Sequence, residues 1–146
     1  KEIYDGATPS GNAVMLYNLF HLSVLLNKSA WKEKVEEGIR AVGKAIVRYP
    51  TSFGIWACLL QEIVDGTQEI AVLGAGSQQV AEDIQRLYIP HKVIMAADRS
   101  SNFPLLKDKV AGDQTTIYLC HNYSCRKPVS TIAELSQLIT SRNFVE

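Results

Sequence analysis

Asp65-Gly66-Thr67-Gln68-Glu69-Ile70-Ala71-Val72-Leu73-Gly74-Ala75-Gly76 is the stretch in which the chain changes period, and that change decides the fold. Before Gly66, apolar residues recur every three or four positions; after it, short apolar runs end at glycine or proline. Glu69–Leu73 reads as a strand. Val80, Ile84 and Leu87 then mark one face of a helix that Pro90 closes. Lys92–Ala97 and Thr115–Leu119 follow as two further strands, and Ile132, Leu135, Leu138 and Ile139 line one side of a last helix. Strand, helix, strand, irregular crossover, strand and helix is an α/β order, and it predicts a small three-stranded parallel sheet with flanking helices.

Upstream of the change the chain is helical. Ser10 can cap a helix from about Gly11 to Leu26, whose apolar residues run almost all the way round, as in a helix enclosed by others. A second helix carries Trp31, Val35, Ile39, Val42, Ile46 and Tyr49 on one face and charges on the other. Pro50 ends it, and Thr51-Ser52 can open a third through Trp56, Leu59 and Ile63 to the Asp65-Gly66 stop. The expected organisation is a helical portion, 1–66, and an α/β portion, 67–146. The second is thin enough that the two are expected to pack as one unit.

Composition excludes more than it identifies. Fifteen basic and fifteen acidic residues leave no net charge, so neither a nucleic-acid nor a membrane partner is expected. The most apolar stretch, Ala13–Leu26, carries Asn18, His21 and Ser23 and is too short to span a bilayer. Three cysteines fit a reducing, cytoplasmic setting better than a secreted disulfide framework.

Three constellations could carry chemistry. Gly74-Ala75-Gly76 at a strand-to-helix turn, with Asp98 ending the next strand, has the spacing of a dinucleotide fingerprint. Gln79 stands where that pattern wants a small residue, so a tight turn with Asp98 capping the strand end competes with cofactor binding. No cofactor is expected. In Cys120-His121-Asn122-Tyr123-Ser124-Cys125-Arg126-Lys127-Pro128 the thiols of Cys120 and Cys125 could form a reversible disulfide or simply pack. They could also join His121 around a metal, or yield a reactive thiolate near Arg126 and Lys127. A tetrahedral site lacks its fourth local ligand, and no metal is expected.

The third constellation is Asp5-Gly6-Ala7-Thr8-Pro9-Ser10-Gly11-Asn12, a polar turn delivered into an apolar helix. Asp5, Ser10 and Asn12 could meet an anion or a sugar hydroxyl at the helix N-terminus, or they could only form and cap the turn. So elaborate a turn after four residues reads as the inside of a larger architecture. His21, on the same helix, reads as a core histidine with Asn18 as its partner.

The Asp5–Asn12 turn, the Glu69-Ile70-Ala71-Val72 strand and the Tyr118–Val129 segment, in this order and spacing, resemble the C-terminal end of the thioredoxin-domain-containing, spermatogenesis-associated thioredoxin-like family. The resemblance covers essentially the whole chain, and its two end motifs are the specific part. It implies a parent with an N-terminal thioredoxin-like domain and an (α/α) toroid like that of six-hairpin glycosidases. The first helices would then be the last of that toroid, and Asp5, Ser10 and Asn12 would line its cavity. The expectation is a non-catalytic portion of a sugar-binding protein, partnered by the rest of its parent. A thiol-redox module using Cys120 and Cys125 is the alternative, and a dinucleotide-binding module the second. Apolar helical surface left uncovered predicts a homo-oligomer.

Overall fold

A computed structural model describes residues 2–141 of the chain. The chain divides into two compact units, Lys1–Gly66 and Thr67–Glu146.

The first unit holds three helices, α1 (Gly11–Leu26), α2 (Ser29–Arg48) and α3 (Gly54–Asp65). Ser10 begins α1 as its sequence predicts: its hydroxyl accepts from the Ala13 amide at 3.2 Å. Asn27 ends it in the left-handed conformation, φ 50°. Ser29 is the first residue of α2, and Lys28 before it, the N-cap, makes no side-chain cap bond. Thr51-Ser52 likewise caps nothing and instead belongs to a 3-10 turn, Pro50–Ser52, ahead of α3. The core joins Ala13 and Phe20 of α1, Val35, Ile39 and Ile46 of α2, and Phe53, Trp56 and Leu59 at α3. Val14, Met15 and Leu22 of α1 remain exposed, so the wholly apolar helix is not wholly enclosed. Among the described residues no helix is long and apolar enough to cross a membrane.

The second unit is α/β. It contains β1 (Gln68–Leu73), α4 (Ser77–Arg86), β2 (Lys92–Ala97), β3 (Thr116–His121), β4 (Ser124–Cys125) and α5 (Ile132–Thr140). The sheet order is β2-β1-β3-β4, with β1 in the centre and buried along its length. Ile70, Val72, Ile117 and Leu119 share a face and pack with Ala81 and Ile84 of α4 and Leu135 of α5. α5 starts in a full capping box, Thr131 and Glu134 each bonding the other's backbone.

The sheet differs from the three-stranded parallel one expected. It has four strands and is mixed: β1 and β2 are parallel, whereas β3 runs antiparallel to β1 and β4 to β3. The register gives the reason. Leu73 pairs with Ala97 on one side and Thr116 on the other, so β2 ends and β3 begins at the same end of the sheet. A parallel return needs a crossover, usually a helix, to carry the chain back to the far end. The segment 98–115 forms no helix and stays where β2 left it.

Candidate functional site

The hairpin that closes the sheet brings Cys120 and Cys125 together. Between β3 and β4 stand only Asn122 and Tyr123, both left-handed (φ 47° and 61°), which is the backbone of a two-residue type I′ turn. Asparagine accepts that conformation readily and tyrosine does not. The Tyr123 amide is held by a 2.9 Å bond to Glu69 Oε2, and this fixes the turn against β1. His121 then faces Ser124 and Cys120 faces Cys125; one rung further, the Arg126 amide donates to Leu119 O at 2.9 Å. Cys120 and Cys125 are therefore the non-hydrogen-bonded pair between two bonded rungs, where side chains approach closest. They form a disulfide.

The two sulfurs differ in surroundings. Cys120 is 2% exposed, while Cys125 lies on the exposed two-residue strand β4. Across the sheet, Glu69 of β1 is directly opposite Cys120, so the two share a face, and Glu69 is only 3% exposed. The segment 98–115 crosses the same face at Tyr118. The Val110 amide donates to the Tyr118 hydroxyl at 3.2 Å, and Lys109 Nζ stands 5.9 Å from that ring. Burial pulls the Lys109 ammonium below its ordinary range, while Glu69 and then Asp108 oppose the shift.

The other readings of this segment find no geometry. His121 follows Cys120 in an extended strand and so points to the opposite face, away from the sulfurs. Arg126 donates to Leu138 O at 2.9 Å, at the C-terminal end of α5. Among the described residues no three His, Cys, Asp or Glu side chains converge as metal ligands.

At the glycine turn the chain covers its own backbone. Gly74 has φ 102°, and a β-carbon there would run into the carbonyls of Gln114 and Gly112. The Thr115 hydroxyl also donates to Ala75 O. The close backbone approach that glycine permits in a dinucleotide site is thus made here by the chain itself. Asp98 accepts from the Ser77 hydroxyl at 2.8 Å, which ties the end of β2 to the start of α4.

In the helical unit the predicted site residues do come together, as structure. Asp5 Oδ1 accepts from the Ser10 amide and Oδ2 from the Ile55 amide, each at 2.8 Å, so one carboxylate serves the N-termini of α1 and α3. The Asp5 amide donates to Ser52 O at 2.9 Å. Ser10 is buried in its cap, and the Asn12 amide donates to Glu2 O at 2.8 Å.

Sequence reading missed Glu62. It is fully buried on α3, yet accepts from the Tyr17 hydroxyl at 2.9 Å and from His21 Nε2, 3.0 Å from each carboxylate oxygen. His21 is paired with this carboxylate rather than with Asn18, which is exposed. A carboxylate that only accepts fixes Nε2 as the protonated nitrogen. The Tyr17 phenol is pushed well above its ordinary 10.0, first by burial and then by the Glu62 charge. The available signal was a carboxylate in the apolar stripe Trp56, Leu59, Glu62, with Tyr17 and His21 one turn apart on the facing helix.

Among proteins of known sequence the chain is similar to human spermatogenesis-associated protein 20, with 27% identity over 150 residues, 95% of this chain and 19% of the relative. The rat protein of the same name is 26% identical over the same shares, and an uncharacterised Caenorhabditis elegans protein is 23% identical over 94% of this chain and 20% of its own length. No family model matches the chain. No solved structure matches it. The chain spans about a fifth of the length of the curated relatives it matches, and over nearly all of its own length it is similar to proteins named spermatogenesis-associated protein 20.

Proposed function

We propose that the sheet unit is a thiol–disulfide element, a module that exchanges electrons through Cys120 and Cys125 within a longer protein. One observation carries this: the two cysteines are bridged across a tight hairpin with one sulfur buried and the other exposed. An exposed sulfur can be attacked, and a buried one resolves the mixed disulfide that results. So short a closed loop contributes only about 2 kcal/mol through chain entropy. Opening so short a loop costs the sheet less than opening a longer one would.

Support for a sugar-lining role is weaker. Asp5, Ser10 and Asn12 all hold backbone groups of their own unit, and that reading rests on resemblance. The exposed Val14, Met15 and Leu22 agree with a helix that packs against further protein, whether the rest of a parent or a second copy.

The test is equilibration in glutathione buffers of graded ratio, followed by mass spectrometry of digests. A Cys120–Cys125 bridge that appears over a defined range of ratios, with no bridge to the exposed third cysteine, Cys58, is the expected result. Three free thiols across the whole range would refute the proposal.

A further inference from the structure

Glu69 holds the hairpin turn, and it is also a buried carboxylate whose residue stands directly opposite the buried Cys120 across the β1–β3 pair. Opposite residues on one face of an antiparallel pair have β-carbons about 4.5–5.5 Å apart. Glu69 and Cys120 are such a pair, and the carboxylate reaches along the hairpin to the Tyr123 amide. Burying a carboxylate is costly, and a single amide bond does not require a charged acceptor where a serine or asparagine would serve. A buried thiol, for its part, must lose its proton before it can form a bridge, and it has no direct access to water.

We infer that Glu69 is the proton acceptor for Cys120 when the bridge closes. The inference rests on the redox reading of this hairpin. In the first step the exposed Cys125 thiolate attacks an incoming disulfide, R–S–S–R′: a Cys125–S–S–R bond forms and R′S⁻ leaves with the electron pair. In the second, the Cys120 proton passes to the Glu69 carboxylate as Cys120 Sγ attacks Cys125 Sγ. The bond to R breaks and RS⁻ leaves with its electron pair. Glu69 then returns the proton to RS⁻ or to solvent. Two cysteine thiols become one disulfide, and the incoming disulfide becomes two thiols.

The surroundings of Glu69 suit the role. Lys109, from the segment over this face, is a cation that acts on it, with Asp108 beside that lysine; Tyr118 shares the face, the Tyr123 amide donates to it, Thr67 is buried two residues before it, and Val93, its partner on β2, is apolar.

The experiment uses the full chain in a Cys58→Ser background, reduced and then mixed with oxidised glutathione as the disulfide. Acid-quenched mass spectrometry follows the glutathione adduct on Cys125 as it converts to the Cys120–Cys125 bridge. A carboxylate base gives a closing rate that hardly changes between about pH 6 and 8, whereas attack by free thiolate alone gives one rising about tenfold per pH unit. The flat profile is expected for the native Glu69. Glu69→Gln, which keeps an oxygen for the Tyr123 amide, is expected to close at least about tenfold more slowly at pH 6 and to gain the steep profile. The slope decides rather than the rate alone. A steep profile with Glu69 in place overturns the inference without recourse to any variant, as does a flat profile retained by Glu69→Gln. If the adduct never converts and no bridge forms, the redox reading falls with it; a bridge that closes without dependence on Glu69 removes only the role of the carboxylate.

Discussion

His21 Nε2 lies 3.0 Å from both carboxylate oxygens of Glu62, on helices far apart in sequence, and the carboxylate is fully buried. That pair, with Tyr17, is a polar clasp at the edge of the apolar three-helix core, Glu62 wholly buried and His21 partly exposed. Removing one member strands the others. Glu62→Leu leaves the Tyr17 hydroxyl and His21 Nε2–H without their acceptor, and His21→Leu leaves the buried carboxylate with fewer donors. Each should cost about 2–4 kcal/mol in chemical denaturation, the double variant less than the sum of the two. Additive losses would show that the clasp is not a unit.

Tyr17 gives the helical unit an alkaline limit. Its folded-state proton is held more tightly than the unfolded chain holds it, so above the ordinary phenol value of 10.0 the unfolded state has lost protons that the native state keeps. Stability from this group is complete below pH 10 and falls as pH rises from there toward the raised value. Tyr17→Phe should be less stable at pH 7 but lose less between pH 9 and 11. Parallel stability curves for the two proteins across that range would contradict the assignment.

Asp5 is expected to matter for stability rather than for a ligand. Asp5→Ala removes the acceptor for the Ser10 and Ile55 amides at two helix N-termini and should lower stability by about 2–3 kcal/mol, whereas Asn12→Ala should change it by less than about 1. Thermal unfolding followed at 222 nm measures both. An Asp5→Ala protein that melts like the native one would return the carboxylate to the list of ligand contacts.

The two glycines of the first strand turn should separate cleanly. Gly74→Ala meets backbone carbonyls that cannot swing aside and also strains a φ of 102°, so a loss of at least about 3 kcal/mol is expected. Gly76→Ala has φ 79° and an open setting, with the Thr115 hydroxyl 3.7 Å away, so only the strain of about 1 kcal/mol should appear. Equal losses at the two positions would mean that the 112–114 backbone does not hold its place over Gly74.

Much of the fold was legible because local signals coincided. The bounds of α1 follow from Ser10 and Asn27 at the ends of one apolar run, and β2 from an apolar run bounded by Lys92 and Ala97. The direction of β3 was not legible. Nothing within Thr116–His121 says which way it runs, because direction depends on where 98–115 delivers it, a tertiary matter. β4 escaped notice because two residues have no period, and its turn uses Tyr123 where a glycine would have announced a type I′ hairpin. For the candidate site, the Cys120 and Cys125 pair was visible as an alternative among several, and only the register selected the bridge. Glu62 and Glu69 were invisible as site residues. A carboxylate among apolar neighbours becomes informative only when its donors, Tyr17 and His21 in one case and the Tyr123 amide in the other, are seen in three dimensions.

The antiparallel entry of β3 also governs the order in which the sheet can be assembled. β1 and β2, joined through α4, close a shorter loop than β1 and β3, so the loop-closure entropy favours the parallel pair first. Until β3 arrives, the most apolar strand of the unit presents an unpaired edge, the kind of template that recruits other chains. The segment 98–115 is then more than a connection. Its reach sets how long that edge stays open, and changing that reach away from Leu105 and Leu106, the two leucines it buries in the core, should shift the balance between folding and aggregation.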